Sequence, residues 1–264
     1  MYLLVQEEIR RGIDLDHAAR KADMTLVSFS RDADLSALER EVAGDRVLVF
    51  CSLQIAARID RLHPGLARGV LLPRRFLHHA VYTSCVPRKM LLNPRGVYLP
   101  WGRIPDMAET LEHLFTDGVF MRPDSPLKPF TGDAAEPGEL RDFHDLMSRT
   151  LPIDAEEMTY VTDRKALPKN EWRCWIVDGS VPASAGYAWA DEDVPGRPAP
   201  DVVLRTAHRL AAALERREQV FIADFVVLPG EGVKLVEINA LSTSGWYPGT
   251  DVETLLRALD PVMM

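Results

Sequence analysis

The chain has 264 residues, 47% of them hydrophobic and 27% charged, which is ordinary for a globular protein of one or two domains. A formal net charge of −8 without a long basic run argues against a nucleic-acid-binding surface. The sequence contains no signal-peptide core, no apolar stretch near the ~20 residues of a membrane span and no paired cysteine spacing. This predicts a protein of the reducing cytoplasm without a membrane partner.

Short apolar runs alternate with amphipathic stretches over the first hundred residues. The patterns predict strands at Tyr2–Val5, Met24–Phe29 and Asp45–Cys51, and helices at Asp14–Ala22, Leu35–Val42 and Leu53–Leu62. Strands that alternate with helices favour a parallel α/β sheet. No glycine-rich phosphate loop follows any of these strands, so a dinucleotide site is not expected here.

The rest of the chain mixes helices with antiparallel strands. Up to residue 150 the patterns predict helices at Phe76–Thr83, Pro105–Phe115 and Gly138–Arg149, and strands at Gly96–Leu99 and Val119–Arg122. Beyond residue 150 they predict strands at Glu156–Val161, Glu171–Val177 and Ser180–Trp189, and helices at Asp201–Arg217 and Val252–Leu259. Asp178-Gly179 is a favoured two-residue hairpin turn. An α/β domain of residues 1–104 followed by an α+β domain of residues 105–264 is therefore predicted.

A β-hairpin near the C-terminus carries the most informative residues. Phe221–Leu228 and Val233–Asn239 are rich in β-branched and aromatic residues, and they flank a turn with proline and glycine. A loop of two or four residues places Asp224 directly opposite Glu237, whereas a loop of odd length shifts the register by one. The even register also pairs Val226 with Leu235, and Leu228 with Val233.

In this register Asp224, Glu237 and Asn239 share one face of the hairpin. Two carboxylates so close together repel each other unless a cation lies between them, and carboxylate and amide oxygens are the ligands that Mg²⁺ prefers. The apolar neighbours on the same face favour the wall of a cleft over a solvated acidic surface. The hairpin therefore predicts a magnesium site, and hence binding of nucleotide phosphates.

Phosphates also need cations from the protein, and three residues stand in informative places. Arg122 ends a strand, and Lys128 precedes Pro129, which favours an extended backbone at the lysine. Arg173 alternates with apolar residues and shares a strand face with Glu171. Taken alone, Arg122 and Lys128 are equally compatible with surface charge, and Arg173 with a solvated salt bridge.

The combination resembles the ATP-grasp enzymes. Asp224, Glu237 and Asn239 are similar in spacing and residue type to the magnesium motif of that family. The segments Arg122–Gly132 and Glu171-Trp-Arg173 resemble hallmarks of one clade, which is named for its two arginines and one lysine. The segment 239–247 is similar to the stretch that follows the metal strand in that clade. The resemblance covers roughly residues 118–250.

The resemblance implies a nucleotide held between two α+β subdomains in residues 105–264, with residues 1–104 as the α/β domain that precedes the grasp. It implies ATP and Mg²⁺ as cofactors. The phosphates would contact Arg122, Lys128 and Arg173, which are also the implied catalytic residues, and the strand at Tyr160, Val161 and Thr162 would offer backbone groups to adenine. The metal would be held by Asp224, Glu237 and Asn239, and substrate would meet Ser242, Ser244, Gly245 and Tyr247.

The activity implied by this family is ADP-forming ligation of a carboxylate to an amine through an acylphosphate, with an amino acid, peptide or protein as partner. The sequence shows no Ser-His-Asp or Cys-His arrangement, and such a ligase requires no side-chain nucleophile. Two alternatives stay open, namely a small-molecule kinase built on the same grasp and a nucleotide-binding module that does not catalyse.

Overall fold

The computed structural model describes residues 1–10, 13–168, 170–188 and 196–263. The chain divides into two compact units, one formed by Met1–Pro73 with Pro168–Met264 and the other by Arg74–Leu167. The division into domains of residues 1–104 and 105–264 stays a proposal, because compactness and family membership divide a chain by different criteria. None of the described helices is long and apolar enough to cross a membrane.

The N-terminal part of the first unit is the parallel α/β layer that the sequence predicts. Its elements are β1 (Tyr2–Gln6), α1 (Leu15–Lys21), β2 (Thr25–Phe29), α2 (Leu35–Glu41), β3 (Val47–Phe50), α3 (Leu53–Leu62) and α4 (Pro64–Ala67). The strands pair in parallel in the order β2-β1-β3. Asp14, Asp34 and Ser52 cap α1, α2 and α3 by accepting backbone N–H groups, so the helix starts follow from local side-chain chemistry.

The second unit surrounds an antiparallel sheet with the strand order β4-β7-β5-β6. Its elements are α5 (Arg74–Leu77), α6 (His79–Cys85), β4 (Gly96–Pro100), α7 (Ile104–Leu114), β5 (Val119–Pro123), β6 (Asp133–Ala135), α8 (Leu140–Thr150) and β7 (Met158–Asp163). One apolar core joins α7 and α8 to the sheet, and it includes Trp101, Leu111, Met121 and Val161.

The single helix predicted at Phe76–Thr83 is wrong, since the chain breaks between α5 and α6. His78 has an extended backbone with ψ of 131°. Asp124 accounts for the break, because its backbone carbonyl accepts the N–H of His79 and its carboxylate accepts the N–H of Ala80. These bonds satisfy the first N–H groups of a new helix from outside the segment, which periodicity in the segment cannot reveal.

The C-terminal part of the first unit is a second antiparallel sheet, in the order β11-β10-β8-β9. Its elements are β8 (Asn170–Val177), β9 (Ser180–Ala188), α9 (Asp201–Leu214), β10 (Val220–Leu228), β11 (Gly232–Asn239) and α10 (Val252–Leu259). Asp178 and Gly179 both have positive φ, at 47° and 73°, as the predicted two-residue turn requires. The predicted end of β9 at Trp189 lies outside the described residues.

Both sheets of the first unit bury one face in a shared core. Leu3, Phe50, Trp175, Ile222 and Trp246 belong to it, and all are at most 2% exposed. Because side chains alternate along a strand, the intervening residues of the parallel sheet pack into a second core beneath α3. The mixed α/β architecture predicted from the sequence is therefore confirmed.

Trp246 tests how far this core depends on the loop after β11. The ring is fully buried, and its centroid lies 4.7 Å from that of Phe50 in an edge-on contact. We expect Trp246→Ala to lower the free energy of unfolding by about 3–5 kcal/mol, because a large buried ring leaves a cavity. Leu62→Ala, at a side chain that is 56% exposed, is the control and should change it by less than about 0.5 kcal/mol in the same denaturant titration. Equal losses in the two variants would contradict the assignment.

Candidate functional site

Asp224 and Glu237 lie opposite each other on β10 and β11, which confirms the predicted pairing. The route to this pairing differs from the prediction. The loop has three residues, Pro229–Glu231, between the paired residues Leu228 and Gly232. Such a loop would place Asp224 opposite Val236, but a β-bulge at this point of β11 adds one residue and restores Glu237.

The three-residue loop and the bulge together change which residues share the face of Asp224. The predicted pairs of Val226 with Leu235 and of Leu228 with Val233 are wrong. Val226 pairs with Lys234 instead, and so Lys234 lies on the same face as Asp224. The Lys234 side chain is 14% exposed, and its Nζ lies 3.6 Å from a carboxylate oxygen of Glu231. In a regular strand Lys234 and Glu237 would lie on opposite faces, because they are three residues apart. The bulge between them brings both onto the acidic face.

Arg173 lies directly opposite Asp224 on β8, the strand that pairs with the other edge of β10. Its side chain binds both carboxylate oxygens of Asp224. The Arg173 Nε donates to Oδ1 at 2.8 Å, and an Nη donates to Oδ2 at 2.7 Å. The side chains are only 8% and 0% exposed. Burial alone would lower the pKa of Arg173, but the charge and hydrogen bonds of Asp224 raise it, so the guanidinium stays positive.

Asn239 links the two acids. Its Nδ2 donates to Asp224 Oδ2 at 3.0 Å and to Glu237 Oε1 at 2.8 Å. Asn239 is buried and Glu237 is half-buried. The side chains that the sequence predicts as metal ligands are therefore assembled within hydrogen-bond distance of one another, at one end of a strand pair.

This donor set fits Mg²⁺ in its chemistry, because it offers two carboxylates and an amide oxygen. Among the described residues, no group of three His, Cys, Asp or Glu side chains could hold a metal by itself. The two acids would therefore need Asn239 and oxygens from water or a bound phosphate. Mg²⁺ is commonly held in this way, by one or two carboxylates together with substrate phosphates.

The loop after β11 contributes unequally to the site. The carbonyl of Gly245 accepts the remaining Nη group of Arg173 at 3.0 Å. The hydroxyl of Ser242 accepts the N–H of Leu71 at 2.7 Å, and that of Ser244 donates to the carbonyl of Ala240 at 2.7 Å. Gly245 thus contacts the ion pair, while both serine hydroxyls hold the backbone of the loop. Their roles in substrate binding stay predictions.

Glu171 and Tyr187, which are missing from the sequence-based site, belong to the same face. Tyr187 stacks on Tyr247 with ring centroids 4.5 Å apart, and the guanidinium of Arg173 lies 4.9 Å from the centre of Tyr247. The hydroxyl of Tyr187 donates to Glu171 at 2.7 Å. Counting back from the Asp178-Gly179 turn pairs Glu171 with Gly186, but one extra residue in β9, opposite the stretch between Trp175 and Val177, shifts the register and pairs Glu171 with Tyr187. The sequence does contain one signal for Glu171, because alternation along the strand places it on the same face as Arg173.

Glu171 is a carboxyl group with an altered acidity. Burial raises its pKa from 4.5 to about 7, and the nearby charges of Asp224 and Glu237 act in the same direction, while the hydrogen bond from Tyr187 opposes the shift. At neutral pH this group is therefore near the midpoint of its titration.

The other predicted phosphate contacts lie in the second unit. Arg122 is half-buried on β5, opposite Tyr160 on β7. Lys128 follows in a tight turn, where its N–H donates to the carbonyl of Ser125 at 3.2 Å. Asp124, between these two cations, binds His78 and the start of α6 through its carboxylate. The segment that bears both cations is thereby anchored to a helix.

The extended backbone predicted for Lys128 is wrong. Its φ is +46°, in the left-handed region that favours glycine. The turn closed by the bond to Ser125 outweighs the preference set by Pro129. A non-glycine residue in this region is strained by about 1–3 kcal/mol, and such strain is often found at functional positions.

Tyr160, Val161 and Thr162 lie in the middle of their sheet. β7 pairs with β4 on one side and with β5 on the other across all of these residues. Their backbone groups are therefore engaged in the two ladders. Their contact with adenine stays a prediction, and backbone groups outside the ladders begin only after Asp163.

Replacing Lys128 separates its backbone strain from its charge. We expect Lys128→Gly to be more stable than Lys128→Ala by about 1 kcal/mol, because only glycine adopts a positive φ without strain. Chemical denaturation of both variants measures the difference. The same two substitutions at the exposed helical Glu109 are the control and should give the opposite order. Alanine more stable than glycine at both positions would contradict the left-handed turn.

Glu171 predicts a dependence of stability on pH. Its pKa is higher in the folded than in the unfolded chain, so its contribution is full below about pH 4.5 and is lost as the pH rises toward about 7. Glu171→Gln removes this loss. The stability of the variant relative to the unaltered protein should therefore increase from pH 5 to pH 8 by up to about 3 kcal/mol. Urea unfolding at the two pH values measures it.

The control for this measurement is Glu109→Gln, which alters an exposed carboxylate on α7. It should show no comparable change between the two pH values. A relative stability of Glu171→Gln that stays constant from pH 5 to pH 8 would mean that Glu171 titrates normally in the folded protein.

Comparison with known proteins shows the family. Residues 97–259 match an ATP-grasp domain family, the third family of the clade named for two arginines and one lysine. No curated protein matches the sequence.

Several solved structures share the fold. D-cycloserine synthetase DcsG is similar over 100% of this chain and 99% of its own, with a TM-score of 0.60 and 12% identity. A RimK domain ATP-grasp protein from Sphaerobacter thermophilus covers 92% of each chain, with a TM-score of 0.58 and 14% identity. D-alanine–D-alanine ligase from Bacillus anthracis covers 99% of this chain and 92% of its own, with a TM-score of 0.53 and 11% identity. By its matched residues and its fold, the chain belongs to the ATP-grasp family, in the same clade that its sequence resembles.

Proposed function

We propose that the protein is an ATP- and Mg²⁺-dependent ligase that joins a carboxylate to an amine through an acylphosphate, with an amino acid, peptide or protein as substrate. The observation that carries the proposal is the cluster of Arg173, Asp224, Glu237 and Asn239 on one sheet face of a chain in the ATP-grasp family. A buried ion pair generally stabilises a fold no better than apolar side chains of similar size, so its presence on this face supports a functional role.

The substrate class is suggested by proteins of similar fold. One is a D-alanine–D-alanine ligase. Two others, the ATP-grasp ligase PsnB and the macrocyclase MdnC, have structures in complex with precursor peptides. Their identity to this chain is only 11% and 13%, so the likeness supports peptide or amino-acid chemistry as a class and no particular substrate.

In the proposed reaction a carboxylate oxygen of one substrate attacks the γ-phosphorus of ATP, the bond to the bridging oxygen breaks, and ADP leaves. The amine nitrogen of the second substrate then attacks the acyl carbon, the bond to the phosphate oxygen breaks, and the amine loses a proton. Neither step needs a covalent bond to the protein. The protein contributes by positioning the reactants and stabilising their charge.

The residues would divide these tasks between them. Arg122, Lys128 and Arg173 would bind the phosphates and offset the charge on the transferred group. Asp224, Glu237 and Asn239 would hold Mg²⁺, which neutralises phosphate charge when bound. Gly245 and Tyr247, together with Ser242 and Ser244, would form the substrate side of the site. The β7 segment at Tyr160, Val161 and Thr162, or the residues that follow Asp163, would contact the base.

Glu237→Gln is the sharpest single test of the site. Glu237 is half-buried and has no part in the Arg173–Asp224 ion pair, so the fold should survive its neutralisation. We expect ATP turnover to fall by about 10²–10³, as is typical when one charge that stabilises a transition state is lost. Asp224→Asn should be at least as inactive, although it also leaves Arg173 without its buried partner. The measurement is ADP release with Mg²⁺ and ATP.

The substrate screen uses amino acids and short peptides, singly and in pairs, and measures ADP and free phosphate. A ligase releases both and requires an amine. A phosphorylated product without free phosphate would identify a kinase, and ATP binding without ADP release across the panel would identify a non-catalytic module.

The control for Glu237→Gln is Glu231→Gln, which alters an exposed acid in the same hairpin and should keep full turnover. Near-normal turnover in both Glu237→Gln and Asp224→Asn would refute the site.

A further inference from the structure

The hydrogen bonds of Asp224 leave little room for a cation. Oδ1 accepts from Arg173 Nε at 2.8 Å, and Oδ2 accepts from an Nη of Arg173 at 2.7 Å and from Asn239 at 3.0 Å. The carboxylate is fully buried, so no other direction is open to solvent. Both oxygens of the central predicted metal ligand are thus already neutralised from within the protein.

Asn239 is also turned away from the orientation that a metal needs. Two carboxylates accept its Nδ2 group, so the amide presents hydrogen-bond donors toward Asp224 and Glu237. For Asn239 to be a ligand of a cation between these acids, its amide oxygen must face the cation, because an amide N–H cannot coordinate a metal. Arg173 and the amide of Asn239 therefore make the contacts with Asp224 and Glu237 that a cation would otherwise make.

We infer that Arg173 and the metal compete for Asp224, and that Arg173 must transfer from Asp224 to the phosphates of a bound nucleotide before the metal binds tightly. The inference rests on the proposed function. A phosphate offers Arg173 the same bidentate, charge-assisted contact that Asp224 offers, so the exchange leaves no buried charge unpaired. The carboxylate released by this exchange is then available to the cation.

Linkage gives this competition a consequence that can be measured. If nucleotide raises the affinity for metal, metal raises the affinity for nucleotide by the same factor. Part of that factor comes from direct contact between phosphate and metal, and the rest from the release of Asp224 by Arg173. Removing Arg173 abolishes only the second part. Without nucleotide, a variant that lacks Arg173 should therefore bind metal more tightly than the unaltered protein, although it has lost a residue of the site.

The experiment measures binding of Mn²⁺, which shares the preference of Mg²⁺ for oxygen ligands, by the full chain without nucleotide and with a non-hydrolysable ATP analogue. Free Mn²⁺ is followed by electron paramagnetic resonance, and a titration of the analogue without protein gives the Mn²⁺ that the analogue binds by itself. Without nucleotide, we expect Arg173→Gln to bind Mn²⁺ at least about tenfold more tightly than the unaltered protein, since each charge-assisted hydrogen bond removed is worth about that factor. The analogue should raise the Mn²⁺ affinity of the variant by a smaller factor than that of the unaltered protein.

Two controls isolate the effect. Arg257→Gln removes the same charge from an exposed position on α10 and should leave the Mn²⁺ affinity unchanged. Asp224→Asn should bind Mn²⁺ more weakly than the unaltered protein when the analogue is present, because the carboxylate that Arg173 would release is gone. If Arg173→Gln does not fold, Arg173→Lys replaces it, because a lysine keeps the charge but cannot hold both carboxylate oxygens in the same fork. Its metal affinity should also exceed that of the unaltered protein.

The outcomes separate this inference from the proposed function. Tight Mn²⁺ binding by the unaltered protein without nucleotide, equal to or tighter than that of the folded Arg173 variants, would overturn the competition while leaving a metal site in place. No Mn²⁺ binding by any form, even with the analogue, would overturn the proposed function itself and this inference with it.

Discussion

The ion pair between Arg173 and Asp224 determines how the acidic face of the antiparallel sheet is arranged. Two charges that are almost completely buried are tolerated in a folded protein only when they neutralise each other with good geometry, and here both guanidinium contacts are below 3 Å. The pair requires β8 to lie beside β10, and Gly245 adds a carbonyl to it from the loop after β11. Asn239 and Glu237 complete the group from the next strand. The sheet order, the register and the loop are thus all coupled to one carboxylate.

Irregularities in the strands decide which other residues join this group. The bulge in β11 brings Glu237 opposite Asp224 in spite of an odd loop, and it also moves Lys234 onto the acidic face. The extra residue in β9 brings Tyr187 opposite Glu171. In both hairpins one extra residue changes the facing side of everything beyond it, because side chains alternate with a period of two. Which side chains meet in the site therefore depends on two points where regular pairing fails, one at Asp224 and one near the turn between β8 and β9.

The second unit shows a similar departure from local preference at its predicted phosphate contacts. Lys128 has a left-handed backbone, and the segment before it is held by the bonds of Asp124 to α6. Local preference alone favours neither feature. A strained residue in an anchored turn is consistent with a lysine whose position matters more than its conformational energy, as the proposed phosphate contact requires.

Much of the fold was determined by the sequence itself. The limits of α3 and α10 agree residue for residue with the prediction, and every described β-strand except β6 was predicted, because strand and helix patterns reflect which side chains are buried. The three-residue β6 is too short to show such a pattern. Asp224, Glu237 and Asn239 were proposed from their chemical types and their spacing on one hairpin, and Arg173 from the family resemblance. The structure brings the four side chains together. Only the tertiary structure decided the bulge, the break between α5 and α6, and the partners of Ser242 and Glu171. These features depend on hydrogen bonds and strand pairing between different segments of the chain. Their free energy outweighs the local conformational preferences, and the residue pattern of a single segment does not reveal it.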